Sequence, residues 1–418
     1  MGETVIEKII RNNVGKAVKP GDIVTVNVDR VMIHDIFIPF VAEKFKEMGF
    51  TKLWDPDKVV LIYDHLVPAS QLDDTRHFHV GDEFAKKFGM KNVHRSDGIC
   101  HQLMTEAGYV KPGNVVFGTD SHTTTYGCVG AFSSGIGYTE MASILGTGTM
   151  WIRVPETIKI VIDGELPENV MSKDVILRII GDLTAAGATY RSLEFTGSTV
   201  KNMSVASRMT MSNMAIEAGA KCALFTPDEK TAEYCGIELD DFQKSLSGDE
   251  DAVYMKTLTY RAEDFVPVMA CPSQVDKIRP VEELEGTEID QVFIGSCTNG
   301  RMDDLRIAAK ILEGKKVAKG IRVIVIPATQ QIYLDAMTEG LIRTFIEAGA
   351  IVSTPTCGPC LGGYMGVLAE GERCISTTNR NFVGRMGHVE SEVYLASPAV
   401  AAASAITGKI SGPDEVMD

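Results

Sequence analysis

The chain has 418 residues and a formal net charge of −15 at pH 7, with 44% hydrophobic and 23% charged residues. This length suffices for two or three domains with sizeable cores, and the composition is that of an ordinary globular protein. The excess of acidic residues argues against a nucleic-acid or anionic-membrane surface, because both surfaces need clustered lysines and arginines. A few buried arginines would still bind an anionic substrate.

The first residues show no apolar run of the kind that a secretory signal carries, and no stretch of sequence approaches the roughly 20 apolar residues of a membrane span. We therefore expect a cytoplasmic protein that crosses no membrane. The nine cysteines agree with this expectation. An odd number of cysteines in a large chain of this kind is typical of free thiols in a reducing compartment.

Short runs of β-branched and aliphatic residues recur along the chain, and each run ends in polar residues. Such runs, separated by helical patterns, are typical of buried strands in parallel α/β sheets. Polar residues just beyond the carboxyl ends of such strands are where α/β proteins bind ligands. The runs that we predict as strands are 59–63, 115–117, 292–294, 323–326 and 374–376.

The predicted helices lie among these strands, as a parallel α/β fold requires. They cover residues 40–48, 172–179, 204–219, 305–312 and 341–348. We predict that Ser172 is the N-cap of the second of them. Changes in composition near residues 150 and 285 then divide the chain into three α/β/α-type domains with mainly parallel sheets. Their predicted bounds are 1–150, 151–285 and 286–418.

Histidines beside carboxylates are candidates for proton transfer. His65 follows Asp64 directly, and His122 stands two residues after Asp120. A neighbouring carboxylate orients an imidazole and stabilises its protonated form, which suits a general acid near neutral pH. His101, in a segment that follows a glycine, is a further candidate, and a histidine satisfied within a core is the alternative for each. The histidines that we assign to the surface or to structure are His77, His79, His94 and His388.

Three cysteines stand apart from the others. Cys297 follows the predicted strand 292–294, and Cys357 and Cys360 form a Cys-Gly-Pro-Cys motif. Thiolates are the ligands of iron–sulfur clusters, and three ligands on a four-iron cluster would leave one iron open as a Lewis acid. A thiol–disulfide redox pair at Cys357 and Cys360 is the alternative, and a zinc site would need more closed Cys/His spacing. The cysteines that we assign to packing are Cys100, Cys128, Cys222, Cys235, Cys271 and Cys374.

Two arginines follow the predicted strand 374–376. Arg380 and Arg385 lie five residues apart in Asn-Arg-Asn-Phe-Val-Gly-Arg (379–385). Each guanidinium on such a loop would bind a carboxylate through two parallel hydrogen bonds. A solvated surface loop is the alternative.

Taken together, these segments resemble the aconitase superfamily, most closely its isopropylmalate dehydratase and homoaconitase large subunits, over essentially the whole chain. The matching motifs are Gly-Thr-Asp-Ser-His-Thr (118–123), Ser-Arg-Met-Thr-Met-Ser-Asn-Met (207–214), Gly-Ser-Cys-Thr-Asn-Gly (295–300), Cys-Gly-Pro-Cys (357–360) and Asn-Arg-Asn-Phe-Val-Gly-Arg (379–385). The resemblance implies three aconitase-like domains with mainly parallel sheets around a central cleft that holds a cluster. It also implies hydro-lyase activity, the addition or removal of water, on a small hydroxy-dicarboxylate.

The resemblance implies a role for each matching residue. Cys297, Cys357 and Cys360 would hold one [4Fe-4S] cluster with one iron not ligated by protein. Arg380 and Arg385 would bind the carboxylates of the substrate.

Among the remaining implied residues, Asp64 and His65 would form the acid pair that protonates the departing hydroxyl. The others, to which the resemblance gives catalytic or substrate-binding roles, are His34, Asp35, His101, Asp120, Ser121, His122, Asn213 and Glu217. Asn299 and Asn379 would stand beside the cluster ligands.

The base of the family, a serine in a Gly-Ser-Ser-Arg-like motif of a separate swivelling domain, has no match in this sequence. The resemblance therefore implies a partner, a small subunit that carries the swivelling domain, the serine base and another arginine. The chain by itself is expected to have little or no activity. A regulatory RNA-binding relative would need a basic cleft, which the net charge of −15 argues against.

The segment 34–40 bears on the substrate. The resemblance places it at an early substrate-lining motif, where related enzymes carry small or hydroxylated residues. Phe37 and Ile38 predict a pocket for an alkyl group, so we favour an alkyl-substituted malate and expect 3-isopropylmalate first. The alternatives are 2,3-dimethylmalate, citramalate and homocitrate or homoaconitate.

Overall fold

The computed structural model describes residues 2–417, in which helices and strands alternate over most of the chain. The helices are α1 (Val5–Val14), α2 (Ile38–Glu47), α3 (Leu72–Phe88), α4 (Cys100–Glu106), α5 (Tyr138–Thr147), α6 (Ser172–Leu183), α7 (Ser198–Asn202), α8 (Val205–Met214), α9 (Glu229–Cys235), α10 (Asp241–Lys244), α11 (Ser296–Asn299), α12 (Met302–Leu312), α13 (Gln330–Thr338), α14 (Leu341–Ala348) and α15 (Pro398–Thr407). The strands are β1 (Ile23–Asn27), β2 (Arg30–His34), β3 (Val59–Ile62), β4 (Asn92–His94), β5 (Val115–Gly118), β6 (Phe132–Gly135), β7 (Thr149–Arg153), β8 (Thr157–Asp163), β9 (Ser192–Thr196), β10 (Cys222–Phe225), β11 (Lys256–Arg261), β12 (Val268–Ala270), β13 (Ile278–Pro280), β14 (Gln291–Ile294), β15 (Arg322–Val325), β16 (Ile351–Val352), β17 (Arg373–Ser376) and β18 (Glu392–Leu395). Within residues 2–417, no helix has both the length and the apolar character needed to cross a bilayer.

The predicted strands are confirmed as β3, β5, β14, β15 and β17, and the predicted helices as α2, α6, α8, α12 and α14. The prediction for the N-cap of α6 is wrong. Ser172 is already helical, and the carboxylate of Asp174 accepts a hydrogen bond from the amide of Met171 at 2.8 Å. The carboxylate of the third helical residue therefore satisfies the amide of the N-cap residue, Met171, as in a capping box.

Contacts between residues divide the chain into two compact units. Unit 1 comprises Met1–Arg95, Cys100–Asp163 and Gly187–Tyr260, and unit 2 comprises Ser96–Ile99, Gly164–Ala186 and Arg261–Asp418. Helix α6 therefore belongs to unit 2, although the strands before and after it belong to unit 1. The three domains predicted from the sequence are a different and finer division, which stays a prediction.

Unit 1 contains a five-stranded parallel sheet in the order β4-β3-β2-β5-β6. Of these strands, β2 comes first in the chain and lies in the centre, with β3 and β4 added on one side and β5 and β6 on the other. The connection after β2 therefore runs to one side of the sheet and the connection after β5 to the other. The position between these two strands is a topological switch point, and open α/β sheets bind ligands at such points. Every residue of β3 and β5 is buried, which explains their uninterrupted apolar sequence. The unit also holds a four-stranded sheet, β10-β9-β8-β11, and the pair β1-β7.

Unit 2 contains a seven-stranded sheet in the order β13-β12-β18-β17-β14-β15-β16. The strands β14 to β18 are parallel, and β12 pairs antiparallel with β13 and β18. In the parallel part β14 comes first, β15 and β16 extend one side, and β17 and β18 extend the other. This is the strand order of the five-stranded sheet of unit 1, with its switch point between β14 and β17. Alanine-rich α15 packs on β14 and α12, where its small side chains allow a close approach.

Candidate active site

The carboxyl ends of β2, β3 and β5 bring predicted histidines and carboxylates of unit 1 together. These strands are neighbours in the sheet, so the residues that follow them lie along one edge. His101 joins them from the start of α4. The predicted residues at or just beyond the ends of the three strands are His34 and Asp35, Asp64 and His65, and Asp120, Ser121 and His122.

His65 is held from two sides by carboxylates. Its Nδ1 lies 2.7 Å from one oxygen of Asp64, whose other oxygen accepts a hydrogen bond from the amide of Cys100 at 2.7 Å. The fully buried carboxylate of Asp35 accepts hydrogen bonds from the amides of His65 and Leu66 at 3.0 and 2.8 Å. Burial raises the pKa of Asp64, but the interactions with His65 and Cys100 outweigh it and hold that pKa below its usual value. The side chains of Asp35 and Asp64 thus hold the loop after β3 in place through hydrogen bonds.

Asp120 organises the remaining histidines of this edge. One of its oxygens lies 2.8 Å from Nε2 of His101 and accepts the amide of His122 at 2.7 Å. Nε2 of His122 lies 2.8 Å from Glu217, and Nε2 of His65 lies 3.9 Å from the other oxygen of Asp120. Burial raises the pKa of Asp120, but its hydrogen bonds with His101 and His122 hold the pKa well below the usual range. One ionised carboxylate therefore orients two imidazoles and faces a third.

Other predicted residues of unit 1 lie around this network. The ring of His34 stacks on that of His65, with centroids 4.4 Å apart. Asn213 is fully buried in α8 and donates a hydrogen bond to the hydroxyl of Thr125 at 2.9 Å. Ser121 is half-buried. Their implied roles in binding substrate stay predictions.

The two residues predicted to shape an alkyl pocket differ in position. The half-buried ring of Phe37 lies edge-on to that of His34, with centroids 5.0 Å apart, and 6.2 Å from the ring of Tyr138. Ile38 is fully buried at the start of α2 and packs in the core of unit 1. The prediction that Ile38 lines a pocket is therefore wrong, and Phe37 alone offers apolar surface beside the histidines.

The cysteines predicted to hold a cluster lie at two turns of unit 2. Cys297 stands in α11 directly after β14, and Cys357 and Cys360 belong to a tight turn after β16. All three are buried, and none of them forms a disulfide bond. Gly295, with φ 155°, precedes the first turn, and a Cβ there would meet the backbone oxygen of Ile326 at 2.7 Å. The turn that presents Cys297 therefore requires glycine.

Side-chain donors reach the sulfurs of Cys297 and Cys360. Asn379 Nδ2 donates to Cys297 Sγ at 3.5 Å, and Arg385 donates to Cys360 Sγ at 3.7 Å. Such donors stabilise a thiolate more than a neutral thiol, and hydrogen bonds to sulfur are a feature of iron–sulfur sites. The donor set of unit 2 therefore fits an iron–sulfur cluster.

The predicted arginines stand on the loop after β17, and both are half-buried. Arg385 contacts Cys360, as described above, and the guanidinium of Arg380 lies 5.9 Å from the ring centroid of Phe382. Their implied binding of substrate carboxylates stays a prediction.

Of the cysteines assigned to packing, all but the half-buried Cys235 are buried. Burial raises the pKa of Cys222 and of Cys374 to about 12, so these thiols stay protonated at neutral pH. They behave as small apolar side chains.

Sequence reasoning missed two buried cations of unit 2. Arg301 donates to the backbone oxygen of Cys297 at 2.5 Å. Lys173 in α6 is fully buried. A signal for Lys173 was present, since apolar Ile176 and Leu177 stand three and four residues after it and thus share its face of the helix.

Comparisons with known proteins agree with the geometry. The profile of the Aconitase family (aconitate hydratase) matches residues 7–408. The 3-isopropylmalate dehydratase large subunit 1 of Methanopyrus kandleri is 49% identical over 414 residues, 99% of each chain. The 3-isopropylmalate dehydratase large subunit of Halothermothrix orenii is 50% identical over 420 residues, 100% of each chain. The holo form of Thermococcus kodakaraensis aconitase X shows the same fold, with a TM-score of 0.51 and 13% identity over 85% of this chain and 84% of that chain.

Replacing His101 with Gln is expected to make the free energy of unfolding less dependent on pH. Burial lowers the pKa of His101, and Asp120 opposes this only in part, so the unfolded chain binds the proton more readily. The stability contributed by a neutral His101 is present above the ordinary imidazole pKa of about 6.5 and is lost as the pH falls below that value. The loss is about 1.4 kcal/mol for each unit by which folding lowers the pKa of His101. Urea titrations at about pH 8 and about pH 5 measure this loss.

The matched control is His79→Gln, because the ring of His79 is exposed. This variant should follow the wild type at both pH values. The same pH dependence in His101→Gln and the wild type would contradict the prediction.

Proposed function

The chain belongs to the aconitase family, and from that premise we propose that it is the large subunit of a 3-isopropylmalate dehydratase. Such an enzyme removes water from an alkyl-substituted malate and adds it back at the same or the neighbouring carbon. The observation that carries the proposal is the set of buried cysteines with side-chain donors at Cys297 and Cys360. The choice of 3-isopropylmalate as the substrate is supported by the similarity, over whole chains, to proteins named 3-isopropylmalate dehydratase large subunit.

The proposed ligands of one [4Fe-4S] cluster are Cys297, Cys357 and Cys360, which would leave one iron without a protein ligand. When bound, the cluster supplies a Lewis acid for the hydroxyl and a carboxylate of the substrate. Asn379 and Arg385 donate to the sulfurs of this set. They would stabilise the negative charge that three thiolates bring together.

The acid of the proposed reaction comes from unit 1. Asp64 binds Nδ1 of His65 and stabilises its imidazolium form, so Nε2 is the atom that would give a proton to the departing hydroxyl. Asp35 binds the amide of His65 and limits movement of the ring. Asp120, 3.9 Å from the same Nε2, keeps a negative charge beside the acid.

The base of the proposed reaction comes from a partner. A proton α to a carboxylate must leave, and we assign its removal to the serine of a small subunit with a swivelling domain. The words "large subunit" in the names of the relatives support a partner of this kind. Arg380 and Arg385 would hold the carboxylates of the substrate throughout the reaction.

Replacing Cys297 with Ser is expected to remove most of the iron from a chain that otherwise binds about four irons, because an alcohol does not replace a thiolate ligand. Anaerobic purification, iron and sulfide analysis and a visible spectrum measure the cluster. The matched control is Cys374→Ser, at a buried cysteine of the same unit, which should keep its iron. A colourless wild type after anaerobic reconstitution would contradict the proposal and favour a thiol–disulfide pair at Cys357 and Cys360.

Replacing Asp64 with Asn is expected to lower kcat by about 10²- to 10⁴-fold in the presence of the small subunit. The amide has no charge to stabilise the imidazolium of His65, while the iron content should stay unchanged. The measurement is kcat together with iron per chain. Asp82→Asn, at a partly exposed carboxylate that binds Tyr63, is the control. A kcat for Asp64→Asn close to that of the wild type would remove His65 from the role of acid.

Replacing Phe37 with Ala is expected to lower kcat/KM for 3-isopropylmalate by roughly 10- to 200-fold relative to citramalate, since a lost apolar contact of this size costs about 1–3 kcal/mol. Assays with the small subunit would compare both substrates with 2,3-dimethylmalate and homocitrate. Phe40→Ala, at an exposed ring in the first turn of α2, is the control. An equal loss for all substrates would show that Phe37 does not select the alkyl group.

A further inference from the structure

Helix α6 carries a lysine into the interior of unit 2. Lys173 has no exposed surface, and its Nζ donates hydrogen bonds to the backbone oxygen of Thr377 at 3.0 Å and to that of Thr378. Burial of an ammonium group is unfavourable unless nearby charges compensate it. In the described chain the hydrogen bonds of Nζ go to backbone oxygens, which compensate a full charge only in part.

The segment that Lys173 binds is joined to the turn that presents Cys297. The hydroxyl of Thr377 accepts the amide of Gly295 at 2.9 Å, two residues before Cys297. Asn379, two residues after Thr377, donates to Cys297 Sγ. Lys173, the end of β17 and the cysteine turn therefore form one connected structure.

The negative groups that act on Lys173 include two of the cysteines. Burial lowers the pKa of Lys173 to about 7, and Asp304, Cys297, Asp174 and Cys360 oppose that fall in this order. Burial also raises the pKa of Asp304 to about 6 and of Asp174 to about 7. Both carboxylates therefore hold their charge less firmly than usual, and the two sulfurs act on the ammonium in addition to Asp304.

We propose that Lys173 is a positioning residue whose positive charge stabilises the thiolate of Cys297 and an anionic cluster bound to it. The inference rests on the proposed function. A four-iron cluster held by three thiolates carries net negative charge, and a cation fixed close to it favours the more negative, reduced state. Lys173 thereby raises the reduction potential of the cluster, and its hydrogen bonds hold the end of β17 against the cysteine turn.

The test compares Lys173→Met, Lys173→Gln and Lys173→Arg in the full chain after anaerobic reconstitution. Methionine removes the charge and the donors, glutamine keeps a donor without charge, and arginine keeps the charge. An electrochemical titration followed by electron paramagnetic resonance measures the one-electron reduction of the cluster, with iron per chain determined in parallel. We expect the ratio of reduced to oxidised cluster at a fixed potential to fall roughly tenfold or more in the Met and Gln variants and to be retained in the Arg variant.

The matched control is Lys230→Met. Lys230 also donates to backbone oxygens, those of residues 201–203, but it lies exposed in unit 1. This variant should keep the potential of the wild type.

Each other outcome has a distinct meaning. A wild-type potential in Lys173→Gln, at full iron content, would reduce Lys173 to a hydrogen-bond donor and overturn the inference while the proposed function stands. A wild type that binds no iron would overturn both. If Lys173→Met does not fold, the Gln and Arg variants still decide between charge and hydrogen bonding.

Discussion

In a parallel sheet whose later strands are added on both sides of the first strand, the connections that leave two neighbouring strands run to opposite sides of the sheet. The gap between those two connections is the switch point. At that place the polar groups beyond two strand ends are covered by neither connection, and they are available to chemistry. The five-stranded sheet of unit 1 and the parallel part of the seven-stranded sheet of unit 2 both have this order, with the switch point between β2 and β5 in unit 1 and between β14 and β17 in unit 2. The histidine and carboxylate network follows the first switch point, and the cysteine turn with its asparagine donor follows the second.

The two edges differ in how they balance charge. In unit 1 the buried carboxylate of Asp64 and the partly buried carboxylate of Asp120 meet imidazoles and backbone amides, so burial does not prevent their ionisation. In unit 2 the pKa of Asp174 rises and that of Lys173 falls, since burial dominates there. The first edge joins carboxylates and imidazoles, whereas the second places side-chain donors at two of three cysteine sulfurs, with the buried cation Lys173 in the same unit.

The contacts of Cys297 also distinguish between the two chemistries that a Cys-Gly-Pro-Cys motif allows. A redox pair needs Cys357 and Cys360 alone, and it gives no reason for a third cysteine whose turn is bound by Asn379 and Arg301. The proposed cluster would take all three cysteines as ligands. The family to which the chain belongs and the full-length relatives named 3-isopropylmalate dehydratase large subunits point in the same direction.

The sequence by itself determined the positions of the central strands and the polar motifs behind them, because a strand covered on both faces needs an uninterrupted apolar run. The prediction failed at Ser172, because the helix begins one residue earlier and its N-cap is Met171. It also failed at Ile38, because this side chain is buried in the core. Only the tertiary structure decided that α6 belongs to unit 2 and that Asn379 reaches Cys297 across 82 residues of sequence. These contacts depend on the order of the strands in the sheet. That order is set by the packing of whole sheets, so no local pattern of residues predicts it.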